Sequence, residues 1–281
     1  MLDEGKSNFF DAGLSPEIFS NISRLVCEKS GIELHEGKES LVAARLGRRL
    51  RALGLNSYDE YLSYLLTDGA VVEIVHLLDA ISTNVTSFFR EAHHFEILHN
   101  YLELWKNKGQ RRFRFWSAAC SSGEEPYSMA MIANEVLPDT LFDWRILGTD
   151  ISTKVLEASE IAVYSQGKVK EVPEDFLKKY FELKQISSEN SFEIKSFLKC
   201  KLVFKWLNLS QIPFPMTGPL DVVFCRNVMI YFGSRVRDAL LKEITRLLKP
   251  GGILFVGASE CLSSLPSDFR TVGPSTYEKI G

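Results

Sequence analysis

Much that would place this chain quickly is missing from it. Its five cysteines (Cys27, Cys120, Cys200, Cys225 and Cys261) are scattered and odd in number, with no Cys-x-x-Cys pair. That argues against a zinc or disulfide framework and for reduced thiols in a cytoplasm. The histidines, including the adjacent His93 and His94, show no metal-ligand spacing with cysteine or carboxylate. No metal site is expected, and the pair is expected at a surface helix start. No apolar run is longer than a strand such as GGILFVGA, which excludes a membrane span. The opening MLDEGKSNFF is acidic and lacks a long apolar core, so no secretory leader is expected. Charge of one sign is also missing: a net −3 gives no pull toward nucleic acid or anionic membrane. Glycine, finally, is scarce where a nucleotide loop would use it. WSAACSSGEEPYS, residues 116–128, has the look of a strand-to-helix turn but holds one glycine and two adjacent carboxylates. A pyrophosphate asks for a glycine-rich turn of backbone N–H groups and no neighbouring anions.

What is present supports two domains, since 281 residues with 45% hydrophobic content can bury a sizeable core. From Ser15 to Val75 the pattern is helical throughout. Ser15 and Pro16 read as a helix start and Gly31 as its stop, and Val42, Leu46, Leu50 and Leu53 form a stripe at helical spacing. After Asn84 strand and helix signals alternate: RRFRFWSA, EPYSMAMIANEVLP, DWRILGTD, STKVLEASEIAVYS, CKLVFKWLNL, DVVFCRN, SRVRDALLKEITRLLKPGG and ILFVGASE. This predicts an α/β fold with a doubly wound, mostly parallel sheet, preceded by an all-α N-terminal domain. PSTYEKI is compatible with an antiparallel edge. Between Pro173 and Lys205, Phe192, Ile194, Leu198, Cys200, Leu202 and Phe204 share one face at period two, which predicts a small inserted antiparallel β-subdomain. The expected division is a helical domain over 1–78, a linker over 79–95 contributing to the ligand site, and the sheet domain over 96–281 with the insert at 173–205.

In open α/β sheets ligands sit at the carboxyl ends of the strands. Those ends here carry Glu125 in the loop and helix after the first strand, Asp150 after the second, Asn208 and Leu209 after the third, and Arg226, Asn227 and Val228 after the fourth. An acidic residue suits ribose hydroxyls, and an amide with an apolar neighbour suits an adenine edge and face. Glu124 and Glu125 would repel a phosphate and suit the cationic end of S-adenosylmethionine. Glu124 is also a good helix-start residue.

The motifs TNVTSFFRE (83–91), WSAACSSGEEPYSMAM (116–131), TDISTKVLEASE (149–160) and FCRNVMIYF (224–232) closely resemble, in order and over nearly the whole chain, the chemotaxis receptor methyltransferases of the CheR family. The resemblance implies a class I, Rossmann-like methyltransferase fold and an S-adenosylmethionine-dependent protein-glutamate O-methyltransferase, with S-adenosylhomocysteine as product. Its substrates would be glutamates on the cytoplasmic helices of bacterial chemoreceptors. Carried over residue by residue, the cofactor positions are Asn84, Thr86, Arg90, Glu125, Asp150, Asn208, Leu209, Asn227 and Val228. Arg90 and Tyr231 are implied to lie near the transferring methyl group. The chemistry needs no general base, because a carboxylate is already deprotonated at neutral pH, and no histidine falls in the four motifs. Arg45, Arg48, Arg49 and Arg51 crowd one predicted helix in a region, residues 1–80, that carries 8 basic against 13 acidic side chains. With a glutamate-rich helical substrate implied, this local basic face is the expected docking surface. Some family members capture a receptor-tail peptide with a glycine-bearing loop of the insert, but LKQISSENSFEIK has no glycine there. The fourth strand ends in Cys-Arg-Asn-Val, without the Asn-Pro-Pro-Tyr of amino-methylating nucleic-acid enzymes. Two alternatives stay open at this point: the same chemistry on another signalling protein, and a non-catalytic S-adenosylmethionine-binding adaptor. A cytoplasmic monomer is expected.

Overall fold

A computed structural model describes residues 13–138, 141–186, 189–260 and 267–281. The opening decapeptide, Ser187 and Ser188 of the insert, and Cys261 lie outside these. The chain divides into two compact units, Met1–Thr83 and Asn84–Gly281. No helix among the described residues is long and apolar enough to cross a membrane.

The first unit is all helix. α1 (Pro16–Ser30) starts where Ser15 Oγ accepts the Ile18 N–H, and it stops at Gly31, whose φ of +73° lets its N–H donate back to the Cys27 carbonyl. α2 (Glu39–Leu53) buries Val42, Leu46 and Leu50. α3 (Tyr58–Leu65) is capped by Ser57, and α4 (Val71–Ile81) follows a single 3-10 turn. The centre of this bundle is polar at one point. Glu73, 3% exposed, accepts from Arg49 at 3.0 and 2.6 Å and from the Tyr61 hydroxyl at 2.8 Å. Burial and that bond push the Tyr61 phenol far up. The Arg45 guanidinium donates to the Ile81 and Ser82 carbonyls, satisfying the last turn of α4. Two of the four arginines expected to dock a partner are therefore structural. Arg48 and Arg51 are the exposed members of the set.

The second unit opens with α5 (His93–Asn107), β1 (Arg112–Ser117), α6 (Glu124–Val136), β2 (Asp143–Asp150), α7 (Thr153–Ile161) and β3 (Val163–Ser165). Then come α8 (Glu174–Tyr180), β4 (Phe181–Ile186), β5 (Glu189–Ile194), α9 (Ser196–Lys199), β6 (Leu202–Trp206) and β7 (Leu220–Cys225). It closes with α10 (Ser234–Leu247), β8 (Leu248–Val256), β9 (Phe269–Gly273) and β10 (Thr276–Lys279). The main sheet runs β6-β2-β1-β7-β8-β10-β9, and β3-β5-β4 form a separate antiparallel sheet. β6, β2, β1, β7 and β8 pair in parallel, while β10 runs antiparallel to β8. All six residues of β7 are buried, as expected of a central strand covered on both faces. The chain builds outward from β1 to β2 and β6 on one side and from β7 to β8 on the other. The switch point thus lies between β1 and β7.

Three sequence expectations need correcting. The alternation over Phe192–Phe204 is not one strand system: α9 interrupts it, Cys200 is exposed, and Leu202 and Phe204 belong to the parallel sheet. The Lys-Pro-Gly-Gly end of SRVRDALLKEITRLLKPGG is not part of the helix, since β8 begins at Leu248 and runs through it. β10 lies between β8 and β9, so β9 forms the edge in its place.

Candidate active site

Ala118 leaves β1 by donating its N–H to the Phe224 carbonyl of β7, and Cys120 donates to Thr149 of β2. The loop therefore lies across the ends of three adjacent strands. At its turn Ser121 has φ +47° and donates its N–H to Asp150 Oδ2 at 2.9 Å. Gly123, at φ +94°, closes the turn; a Cβ there would lie 2.9 Å from the Tyr164 hydroxyl and 3.1 Å from Ser159. The loop's one glycine serves this turn and its packing.

The two carboxylates diverge at once. Glu124, fully buried, is more than a helix-start residue: it accepts from Ser122 Oγ and Lys168 Nζ, both at 2.7 Å. Glu125 accepts from Ser117 Oγ at 2.7 Å and from the Arg226 guanidinium at 3.1 Å. Burial raises the Glu125 carboxyl pKa and Arg226 pulls it back. The acidic rim expected of this loop is thus a buried ion pair.

The sequence places Arg226 at the end of the apolar run DVVFC without assigning it a role in the site. Its side chain is 1% exposed. It donates to Glu125 and to the Arg90 carbonyl, lies 3.5 Å from Glu91 Oε2, and keeps a buried Nε with no partner among the described residues. Arg90 belongs to a segment, 84–91, anchored at four points. Ser121 Oγ donates to the Asn84 carbonyl, Lys168 Nζ to that of Thr86, and Arg226 to that of Arg90; the Phe89 N–H donates to Ser128 Oγ. The segment bends through positive φ at Phe89 (+53°) and Glu91 (+59°), strained conformations for such residues. The half-buried Arg90 guanidinium donates to the Val85 carbonyl at 3.0 Å and forms no ion pair among the described residues.

The remaining expected residues fall along the same strand ends. Asp150, 7% exposed, accepts from the N–H groups of Ser121 and Ser152, both at 2.9 Å. Asn208 Oδ1 is engaged as a turn acceptor for Ser210 N and Oγ, and Leu209 is buried beside it. Asn227 takes φ +58°, and Val228 and Tyr231 follow it, half-buried, Tyr231 ending a 3-10 turn. The side chains of Asn84, Thr86, Asn227 and Tyr231 form no hydrogen bond among the described residues. An adenosyl amino acid fits this set. The segment 84–91 is anchored to the loop after β1 and to Arg226 at the end of β7, so these amide and hydroxyl groups belong to the same part of the fold as the Glu125–Arg226 pair, which carries both signs of charge.

The His93–His94 pair is not at the surface. His94 is fully buried, its Nε2 lies 3.3 Å from the Pro274 carbonyl, and its pKa falls to about 4 through burial and then the Arg226 and His93 charges. One ligand atom each of Glu91, His93 and His94 lie within 4.8 Å of one another, and His94 Nδ1, His93 Nε2 and Glu91 Oε2 have no hydrogen-bond partner among the described residues. The Arg226 guanidinium already stands against Glu91, so a second cation would meet a fixed charge. We assign no metal to this group.

The models of two domain families match in tandem: "CheR methyltransferase, all-alpha domain" over residues 17–82 and "CheR methyltransferase, SAM binding domain" over 84–277. The chain belongs to the CheR methyltransferase family. The chemotaxis protein methyltransferase of Salmonella typhimurium is 38% identical over 94% of this chain and 90% of its own length. That of Escherichia coli is 37% identical over 94% and 91%. That of Borreliella burgdorferi is 34% identical over 95% of each. This CheR chain is a methyltransferase whose cofactor is S-adenosylmethionine. Its cofactor candidates all lie in one compact unit, whereas Arg48 and Arg51 lie in the other.

Proposed function

We propose that this methyltransferase esterifies glutamate side chains on the cytoplasmic helices of chemoreceptors, acting as a cytoplasmic monomer. The observation that carries the reading is Arg90: a guanidinium held at its site by one carbonyl bond and left without a carboxylate partner among the described residues. A planar fork in that state can orient an incoming carboxylate through two parallel N–H donors. Strong pairing would blunt the nucleophile, so orientation is the role assigned to it. The names of the relatives support chemoreceptors as the class of substrate.

When bound, S-adenosylmethionine supplies an electrophilic methyl group on a sulfonium. Glu125 and Arg226 would hold its amino-acid end, Asp150 its ribose, and Asn208, Leu209, Asn227 and Val228 its adenine. Asn84 and Thr86 would complete its binding site, and Tyr231 would stand on the side of the incoming glutamate. Transfer would be an in-line displacement at that methyl carbon by an already ionised carboxylate oxygen, the S–C bond breaking to leave S-adenosylhomocysteine, so alignment and exclusion of water replace proton transfer. Arg48 and Arg51, exposed on α2, are the docking candidates for an acidic helical bundle.

The test uses methyl-labelled cofactor with receptor-containing membranes, followed by mild base. Carboxyl esters release volatile methanol, so base-labile label on the receptor supports the reading and base-stable label sinks it. Arg90→Ala is expected to lose at least about a hundredfold in transfer rate, the scale of losing a preorganised electrostatic contact. Its melting temperature should stay near that of the parent, because Arg90 is half-buried and makes one side-chain bond.

A further inference from the structure

The stretch ILFVGASE ends in a carboxylate that faces backbone. Glu260 is 6% exposed. Its Oε2 accepts the N–H groups of Asn227 at 2.6 Å and Gly257 at 2.7 Å, and its Oε1 accepts that of Ile230 at 3.2 Å. Three amides from two strand ends thus converge on one buried anion. Asn227 sits at φ +58°, a conformation that its own side chain does not hold by any hydrogen bond among the described residues. Ile230 is the middle residue of the 3-10 turn that ends in Tyr231. Gly257 admits this approach because it has no Cβ: one added there would lie 2.7 Å from Glu260 Oε2 and 2.5 Å from Asn227 Nδ2.

We infer that Glu260 is a positioning residue for methyl transfer, its two oxygens holding different parts of the site. Oε2 sets Asn227, on the adenine side, and Oε1 sets the turn that presents Tyr231 to the substrate. The inference rests on the cofactor and substrate sides proposed above for these residues.

Substitution separates the two oxygens. In Glu260→Gln the amide oxygen keeps the two short bonds to Asn227 and Gly257, and the amide nitrogen then faces the Ile230 N–H, donor against donor. The expected result is S-adenosylhomocysteine affinity, by calorimetry, within about threefold of the parent and a transfer rate lowered about tenfold or more, the scale of one charge-assisted hydrogen bond. Hydrogen exchange of a peptide spanning residues 228–232 should quicken in the same variant. Glu260→Ala strips all three amides of their acceptor and should weaken affinity and rate together. A glutamine variant with parental exchange and rate overturns the inference. So does one that weakens affinity as much as alanine does, or one that lowers melting temperature alone. Affinity and exchange are read without any protein substrate. Base-stable methyl label from the parent protein would therefore sink the glutamate reading and leave this one standing or falling on its own.

Discussion

At the scale of single residues, the tightest constraint near the strand ends is Gly257. Its φ is unremarkable, but a methyl group there would stand 2.9 Å from the Asn227 backbone nitrogen, which cannot move aside as a flexible side chain would. Gly257→Ala is expected to weaken S-adenosylhomocysteine binding about tenfold or more, at the scale of core overpacking, measured by calorimetry. His94 carries a pH signature. Its folded-state pKa falls from the ordinary 6.5 to about 4, so between those values the unfolded chain binds the extra proton. Stability is therefore complete above pH 6.5 and declines as the pH drops toward 4. His94→Asn should flatten that part of a melting-temperature profile. The sequence shows Asp150 and Asn227 because strand ends are legible from alternating patterns. It hides the burial of His94 and the pairing of Arg226 with Glu125, because nothing in one dimension says which charged or polar group the fold will enclose.

At the scale of elements, α2 shows what helical spacing leaves open. Four arginines read as one basic face, yet length and reach divide them. Arg49 folds back onto Glu73, and Arg45 reaches the end of α4, while Arg48 and Arg51 point outward. Arg49→Ala leaves a buried carboxylate with Tyr61 as its one remaining side-chain donor among the described residues. It should destabilise the protein by about 2 kcal/mol, below the usual range for a broken buried pair because Arg49 is partly solvated. Arg48→Ala should leave the melting temperature unchanged and weaken receptor association, increasingly so at low salt. A pull-down against thermal melts distinguishes the two. The insert shows the opposite limit. Period two over Phe192–Phe204 is real in the residues, but Ser196–Lys199 turn as a helix between two strands that pair in different sheets. Periodicity records which side chains are apolar on one side and not which neighbour they meet. β4, at the edge of the small sheet, carries Lys184 within reach of Glu182 and Glu193, a charged edge of the kind that resists casual pairing.

At the scale of the whole molecule, the boundary between the two compact units falls between Thr83 and Asn84, inside the expected linker 79–95. Every proposed cofactor residue lies on the C-terminal side. A chain beginning at Asn84 is therefore expected to bind S-adenosylhomocysteine with the affinity of the full protein in calorimetry and to lose methylation of receptor membranes. Retained methylation would remove the helical unit from substrate recognition. Overall class and the mostly parallel sheet were open to reading because buried parallel strands and amphipathic helices alternate plainly after Asn84, whereas the order of the strands came only with the structure. The anchoring of residues 84–91 was not, since it depends on Ser121, Ser128, Lys168 and Arg226, which are far away in sequence.

That anchoring has a consequence for how this family can be recombined. A chimera that takes its helical domain from one relative and its sheet domain from another is naturally cut at a junction between helices, and α5 offers a tempting start. A cut there would import a foreign Asn84–Glu91 segment into a framework whose serines, lysine and arginine are matched to this one. Joined at Thr83, the same exchange swaps the recognition module alone, and the crossover point decides whether the hybrid is retargeted or inactive.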